Sequence, residues 1–563
     1  MSMEEYLNIL KLTSPKKWLL LIGSFLLVAF GQPLWSDWLS ILVSICGFSF
    51  FWRVLLDIPN VKERFCLSMA WYAGVQFVQL SWFLSHPFYY IYGVTLICAL
   101  LMGFQWGILS IWIKPDIFRR YSALFALAGL WTLFEWSRLF ILSGLPFNPV
   151  GLTLTGLIYP MQAASLGGMY SLSFIVILTN LLILRAWIYL RSISKWTVAA
   201  FVVFMPYIYG WGHLTFHERL KSQHEKKINV LLVQPALPIE EKMHFRSAEE
   251  VREYVIHEWH QVLSTMAKYA EKPLDLIVLP EYLVPFGTFY HVYPVAEVHQ
   301  LFQNVFGTMD QPYPTQDSPY IDVYQVGQQA KWFVSNAYIA QTIANFFNAH
   351  VAIGLEDSEY AEGDKARAFS SAFHFIPHSQ QLPRRYDKQV LVPMGEYIPF
   401  EWCKELARRY GITGSFECGT SATLFDGPVP FGVSICYEEM YGHLMRENRL
   451  MGAELLINLT NDGWYPLSTL PKQHFDHARL RTVENGIPLV RACNTGVTGA
   501  IDSFGRVIAV LGNDHIRDQE KPDSILVEVP IHHYQTLYTQ YGDLPIIALS
   551  SFCLLLGLWK RPS

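Results

Sequence analysis

The sequence predicts a two-part molecule: an α-helical polytopic membrane domain of about eight spans, joined to an α/β domain. Three observations predict it. Hydrophobic residues make up 52% of the chain and charged residues only 16%, a balance that suits a membrane protein carrying a soluble part. Long apolar segments fill the first 215 residues. Past residue 226 charges become frequent, and short β-type runs alternate with helical stretches, the order of an α/β domain.

The membrane part, residues 1–215, reads as seven spans: 17–34, 37–56, 66–85, 89–113, 122–143, 166–190 and 196–212. Most approach or exceed the roughly 20 apolar residues that cross a bilayer. The first is followed by too many others to be a cleaved signal peptide. The connecting loops alternate in charge. Lys11, Lys16 and Lys17 precede the first span, and Arg53, Lys62 and Arg64 lie at the second connection. Lys114, Arg119 and Arg120 fill the fourth, and Arg185, Arg191 and Lys195 the sixth; the loops around 33–37, 85–88 and 144–165 hold no Lys or Arg. Basic loops stay cytoplasmic, so the N-terminus is expected inside and residue 215 outside. An eighth span over 544–560 returns the chain, and Lys560 and Arg561 end it on the cytoplasmic side. Inside the fifth span Glu135 and Arg138 stand three residues apart, on one helix face. Two readings fit them, a structural ion pair or a lipid-headgroup site.

The α/β domain is expected over 226–532. Its strands read as 228–234, 274–279, 350–355, 431–435, 454–459 and 488–492, with a hairpin over 499–511 and helices over 248–269 and 474–485. The inner runs are continuously apolar, as in strands covered on both faces. The stretch 286–348, rich in Pro, Gly and aromatic residues, reads as an insertion with helices of its own, a candidate lid or membrane-facing arm.

Chemistry concentrates at three strand ends. The run 428–435 leads into Cys436-Tyr437-Glu438-Glu439. A turn after a buried strand exposes a thiol and an adjacent N–H together, as acyl transfer requires. Glu281 follows Leu276-Ile277-Val278-Leu279-Pro280, and Lys388 follows Tyr386-Asp387. Carboxylate, ammonium and thiol are the minimum for thiol-based acyl transfer: the carboxylate moves the proton, and the ammonium lowers the thiol pKa and stabilises an oxyanion. Taken singly, each is commonplace, for Cys436 fits a core cysteine, Glu281 a helix cap and Lys388 a solvated lysine. Composition excludes other classes. The net charge of −5 and a pI near 6.4 give no overall basic signal and argue against nucleic acid. The eight cysteines show no metal-ligand spacing, and no Gly-rich phosphate loop occurs, so no metal or nucleotide cofactor is expected. Cys403 and Cys418 could pair in an oxidising compartment or stay free thiols; both remain open.

The order Glu281, Lys388, Cys436-Tyr437-Glu438, with Asn461-Asp462-Gly463-Trp464-Tyr465 downstream, resembles the nitrilase-type carbon–nitrogen hydrolase superfamily. A domain of that kind between apolar spans resembles the apolipoprotein N-acyltransferase family. Leu130-Trp131-Thr132-Leu133-Phe134-Glu135-Trp136, Gly144-Leu145-Pro146-Phe147 and Gln162-Ala163-Ala164-Ser165-Leu166-Gly167-Gly168-Met169-Tyr170 are similar to its membrane part. The run from Lys388 to Pro399 and Pro488-Leu489-Val490-Arg491-Ala492-Cys493-Asn494-Thr495-Gly496 are similar to its soluble part. Pro280, Tyr282, Met243 after Lys242, and Cys493 depart from the family's usual residues.

The resemblance implies a nitrilase-like α-β-β-α sandwich. It implies Glu281 as general base, Lys388 as oxyanion and orienting cation, and Cys436 as nucleophile. Glu396 and Glu438 are implied as supporting acids that orient Lys388 or the incoming amine, and Tyr437 as the donor of a backbone N–H to the oxyanion. The implied reaction moves an acyl chain from a phosphatidylethanolamine-like phospholipid, through a cysteine thioester, to the α-amino group of a diacylglyceryl-cysteine on an apolipoprotein. The implied setting is the inner membrane of a bacterium, with the catalytic domain periplasmic, both termini cytoplasmic, and a monomer, since the spans restrict the pairing of soluble relatives. A membrane-tethered amidase with the same three residues, and a non-catalytic lipid-binding scaffold, are the alternatives.

Overall fold

The structure is a computed structural model. It describes residues 12–221, 226–238, 245, 247–307, 312–315, 318–326, 328–359, 367–410, 416–512 and 520–559. Lys11, Lys242, Met243, Lys560 and Arg561 lie outside the described residues. The chain divides into two units: residues 1–221, 483–486 and 534–563, and residues 222–482 and 487–533.

In the first unit each expected apolar segment contains a helix. The helices are α1 (Ser14–Ala29), α2 (Asp37–Leu55), α3 (Val61–Gln79), α4 (Tyr90–Ile111), α5 (Tyr121–Ser137), α6 (Ala164–Ile188), α7 (Ile193–Leu220) and a last helix, Leu544–Trp559. By length and composition four of them, α2, α4, α6 and α7, can cross a membrane, and Leu544–Gly557 is a shorter apolar helix. The expected fifth span overruns its helix, because the chain leaves α5 through a 3₁₀ turn at Arg138. Glu135 and Arg138 are buried at 2% and 1% exposure. Glu135 accepts hydrogen bonds from Trp131 Nε1 (2.8 Å) and Val150 N (2.9 Å), and Arg138 Nε donates to Gln105 Oε1 at 2.8 Å.

Two irregularities in these helices have identifiable partners. A π turn at Val43–Gly47 interrupts α2, and such a turn frees backbone groups that hydrocarbon cannot satisfy. Asn180 of α6 takes them. Its Oδ1 accepts from Phe48 N and Ser49 N, and its Nδ2 donates to the carbonyls of Val43 and Ser44. Helix α6 itself breaks at Gly167 and Gly168, where Gly168 has φ +70°. The freed N–H of Met169 donates to Glu484 Oε1 at 2.8 Å.

The second unit is built on two six-stranded sheets. The first runs in the order β15-β1-β2-β6-β7-β8, with β1 (Lys227–Gln234), β2 (Leu276–Val278), β6 (His350–Glu359), β7 (Arg367–Phe375), β8 (Arg384–Asp387) and β15 (Asp523–Pro530). The second runs β14-β13-β12-β11-β10-β9, with β9 (Leu424–Asp426), β10 (Pro430–Ile435), β11 (Leu455–Thr460), β12 (Leu489–Cys493), β13 (Gly499–Ile501) and β14 (Val507–Val510). Each has three parallel strands at its centre, β1-β2-β6 and β12-β11-β10, flanked by antiparallel ones.

Alternation along the strands explains the layers. Ile228, Val230 and Leu232 of β1 share one core with Phe431, Val433 and Ile435 of β10 and Leu455, Ile457 and Leu459 of β11. The intervening Leu231 and Val233 pack instead on helices α8 (Ala248–Met266) and α10 (Asn336–Phe347), through Trp259, Val262, Ile339 and Ile343. Beyond the second sheet Leu456 and Leu489 meet Met445 of helix α11 (Gly442–Leu450) and Phe475 and Ala478 of helix α12 (Leu470–Asn485). Two sheets face each other with helices on both outer sides, an α-β-β-α sandwich.

The stretch 286–348 is not a separate insertion throughout. Helix α9 (Val295–Phe306) and α10 bury Val298, Leu301, Phe302, Ile339 and Ile343 in the outer core of the first sheet. What stands clear is the hairpin of β4 (Ile321–Val326) and β5 (Gln329–Val334), which pairs with the short β3 (Tyr293–Pro294) and exposes Val323, Tyr324 and Trp332. Cys403 is buried and Cys418 exposed, and both are free thiols.

Candidate active site

Glu281 stands three residues past the end of β2, on a turn whose next residue, Tyr282, has φ +45°. The turn lies tight against β6. Gly354 N donates to the Pro280 carbonyl, and Leu283 N donates to that of Gly354. A Cβ at Gly354 would sit 2.6 Å from the Glu281 Cα, so only glycine allows this approach.

Lys388 leaves β8 with its backbone fixed on both sides: its N–H donates to Ser370 O, and its carbonyl accepts from Gly419 N. The side chain is 1% exposed. Its Nζ donates to Glu281 Oε1 at 2.8 Å and to Glu396 Oε1 at 2.6 Å. Glu396 is held in turn by Val392 N on its other oxygen, 2.8 Å away.

Cys436 is the first residue after β10. It has φ +56° and opens a 3₁₀ turn, Cys436–Met440. A non-glycine residue in that region costs about 1–3 kcal/mol, and such strain gathers at functional sites. The half-buried thiol meets the Glu281 carboxylate. Glu281, Lys388, Glu396 and Cys436 therefore form one cluster, with residues from both sheets.

Glu438 has another task. Its Oε1 accepts from Gln389 N (2.7 Å) and Val390 N (3.0 Å), and its Oε2 from Ile435 N (2.8 Å) and Tyr386 Oη (2.9 Å). Its bonds tie the loop after Lys388 to the turn that carries Cys436. Burial pushes its carboxyl up to about 7, against the lowering effect of those donors. Tyr437 fastens the same loop by donating its hydroxyl to Leu391 O at 2.9 Å, and its ring lies 5.8 Å from Lys388 Nζ.

The Cys436 thiol is raised well above the ordinary cysteine range, first by burial and then by the charge of Glu281; Lys388 opposes both without overcoming them. The resting thiol is protonated. Burial raises Glu281 too, offset in part by Lys388. Burial disfavours the Lys388 ammonium, but Glu281 and Glu396 together hold its pKa well above the usual lysine value. The cluster keeps its proton on sulfur, beside a carboxylate placed to take it.

Sequence reading missed Tyr386 and Asn458 as partners of the site. Asn458 interrupts the apolar run of β11, and Arg491 interrupts that of β12. A polar side chain in a doubly covered strand must find a partner, and that was the available signal.

Residues 247–516 match the carbon-nitrogen hydrolase family model, and residues 23–182 match that of the apolipoprotein N-acyltransferase N-terminal domain. A Chlamydia pneumoniae protein named apolipoprotein N-acyltransferase is 32% identical over 548 residues, covering 94% of each chain. Those of Chlamydia caviae and Chlamydia trachomatis serovar D are 31% and 30% identical, covering 94% and 95% of each chain. The chain belongs to the apolipoprotein N-acyltransferase family. Among solved structures, Saccharomyces cerevisiae Nit3, of branch 10 of the nitrilase superfamily, aligns at 18% identity and TM-score 0.34, covering 57% of this chain and 95% of its own. Within the family's carbon-nitrogen hydrolase region, 247–516, fall Glu281, Lys388, Glu396, Cys436 and Glu438.

Proposed function

We propose that this chain acylates the N-terminal amine of lipoproteins by a two-step route through Cys436. The observation that carries the proposal is the cluster of Glu281, Lys388 and Cys436 in a member of this family. In the first step Cys436 Sγ attacks the ester carbonyl carbon of a phospholipid acyl chain while its proton passes to Glu281. The ester C–O bond breaks, the proton moves from Glu281 to the departing lysophospholipid oxygen, and a thioester remains. In the second, the α-amine of a diacylglyceryl-cysteine attacks the thioester carbon and gives a proton to Glu281. The C–S bond breaks, an amide forms, and the proton returns to sulfur. Lys388 Nζ and the Tyr437 N–H face the oxyanion in both steps. Glu396 holds Lys388 against Glu281. A protonated resting thiol suits this order, because attack then waits for a substrate carbonyl.

The charge pattern of the loops supports eight spans over 1–215 and 544–560, both termini cytoplasmic, and the 226–532 domain on the periplasmic side of a bacterial inner membrane. A monomer fits that arrangement.

Purified protein in detergent, given phosphatidylethanolamine with a labelled acyl chain, is expected to form a hydroxylamine-labile adduct on Cys436, absent from Cys436→Ser. A diacylated lipopeptide amine is expected to discharge it faster than water does. Equal discharge by water would favour a membrane-tethered amidase, and no adduct on a folded protein would favour a lipid-binding scaffold.

A further inference from the structure

Behind Cys436 lies a row of buried polar side chains that the proposed proton transfers do not use. Ser434, Asn458 and Arg491 are paired across β10, β11 and β12. They point away from the inter-sheet core, since Val433, Ile435, Ile457, Leu459, Val490 and Ala492 point into it. Asn458 Nδ2 donates to the Cys436 carbonyl at 2.9 Å and to Ser434 Oγ at 3.0 Å. Its Oδ1 accepts from Arg491 Nε at 3.1 Å. Arg491 Nη2 donates to Asp462 Oδ2 at 3.1 Å and lies 3.4 Å from Glu439. Asp462 Oδ1 is 2.9 Å from His474 Nδ1. Asn458, Arg491 and Glu439 are fully buried.

This arrangement leaves little freedom at the nucleophile. A guanidinium only donates, so Arg491 fixes which end of the Asn458 amide is oxygen and turns the NH₂ end to the Cys436 carbonyl. That carbonyl belongs to the same planar trans peptide as the Tyr437 N–H, and the two point in opposite directions. Gripping the oxygen therefore aims the N–H. The grip is needed because Cys436 has φ +56°, a conformation that the local chain does not favour. We propose that Asn458, oriented by Arg491, is a positioning residue that aims the Tyr437 N–H at the oxyanion of the acyl group under attack. The inference rests on the acyl-transfer reading above and adds to it a residue contributed by β11.

The test compares two reactions of the same sulfur. Acylation by labelled phosphatidylethanolamine builds an oxyanion, whereas alkylation by iodoacetamide does not. Asn458→Asp keeps the shape but turns an acceptor toward the Cys436 carbonyl. Arg491→Lys keeps the charge beside Asp462 and Glu439 but loses the Nε bond. The expected result for Asn458→Asp is acylation slowed about 100-fold, the scale of a lost oxyanion donor, with alkylation changed by less than about threefold. Arg491→Lys is expected to give the same selectivity in smaller measure. Unchanged acylation in both variants would overturn the positioning role, and so would acylation and alkylation falling together, which marks a displaced thiol. An unacylated parent protein would overturn the acyl-transfer reading itself and the inference with it.

Discussion

At the scale of single residues the site turns on one proton. Burial and the charge of Glu281 raise the Cys436 thiol, so its thiolate appears only at alkaline pH. Replacing Glu281 by Gln removes a negative charge beside the sulfur, and the alkylation pKa of Cys436 is expected to fall. The same variant loses its base, so acylation is expected to drop by at least about 100-fold. Iodoacetamide labelling against pH, run beside the acyl-enzyme assay, checks both directions; a midpoint that rises in Glu281→Gln would refute the charge assignment. In the parent enzyme the acid limb of kcat/KM is expected above the ordinary carboxylate range, because the folded Glu281 is raised and works only when deprotonated. Glu281 and Cys436 were legible in the sequence because each follows an apolar run, and Lys388 because its order with them resembles the family's. The balance between Lys388 and burial was not, since spacing does not measure the loss of solvent. The partners of Glu438 were hidden for a similar reason: two of its donors, Gln389 N and Val390 N, come from a loop nearly fifty residues earlier.

At the scale of elements, the closest fit is between β6 and the turn bearing Glu281. Gly354→Ala would set a Cβ 2.6 Å from the Glu281 Cα and 2.7 Å from the Pro280 carbonyl. Backbone must move, at a cost of about 1–3 kcal/mol. The expected outcome is a lower melting temperature together with a kcat that falls more than KM rises, read by thermal unfolding and acyl-enzyme kinetics. The central strands β1, β2, β6, β10, β11 and β12 were legible as apolar runs, because both of their faces are covered. β8 was not, for Arg384-Arg385-Tyr386-Asp387 is an edge strand whose polar alternation looks like a loop. β15 was missed likewise, as an edge strand with exposed Asp523 and Glu528. The stretch 286–348 misled because it begins and ends in turns while its two helices close the outer layer of the first sheet.

At the scale of the whole molecule the composition foretold a membrane part and an α/β part. The eight-span arrangement predicts sidedness. Cysteines placed singly at 86 and 116, in a background keeping only Cys418, are expected to react with a membrane-impermeant maleimide from opposite sides. Position 86 should share its side with the exposed Cys418. Labelling of 86 and 116 from one side would reject the arrangement. The division of the cluster between two sheets also governs when the chain becomes reactive during synthesis. Glu281 and Lys388 follow strands of the first sheet, while Cys436 follows one of the second. A ribosome that has reached residue 400 has made Glu281 and Lys388 but not Cys436. The edge strand β15, which pairs with β1, arrives only after residue 523. On the proposed route, an acyl thioester at Cys436 therefore marks a chain already extended past residue 436, with strands of both sheets made.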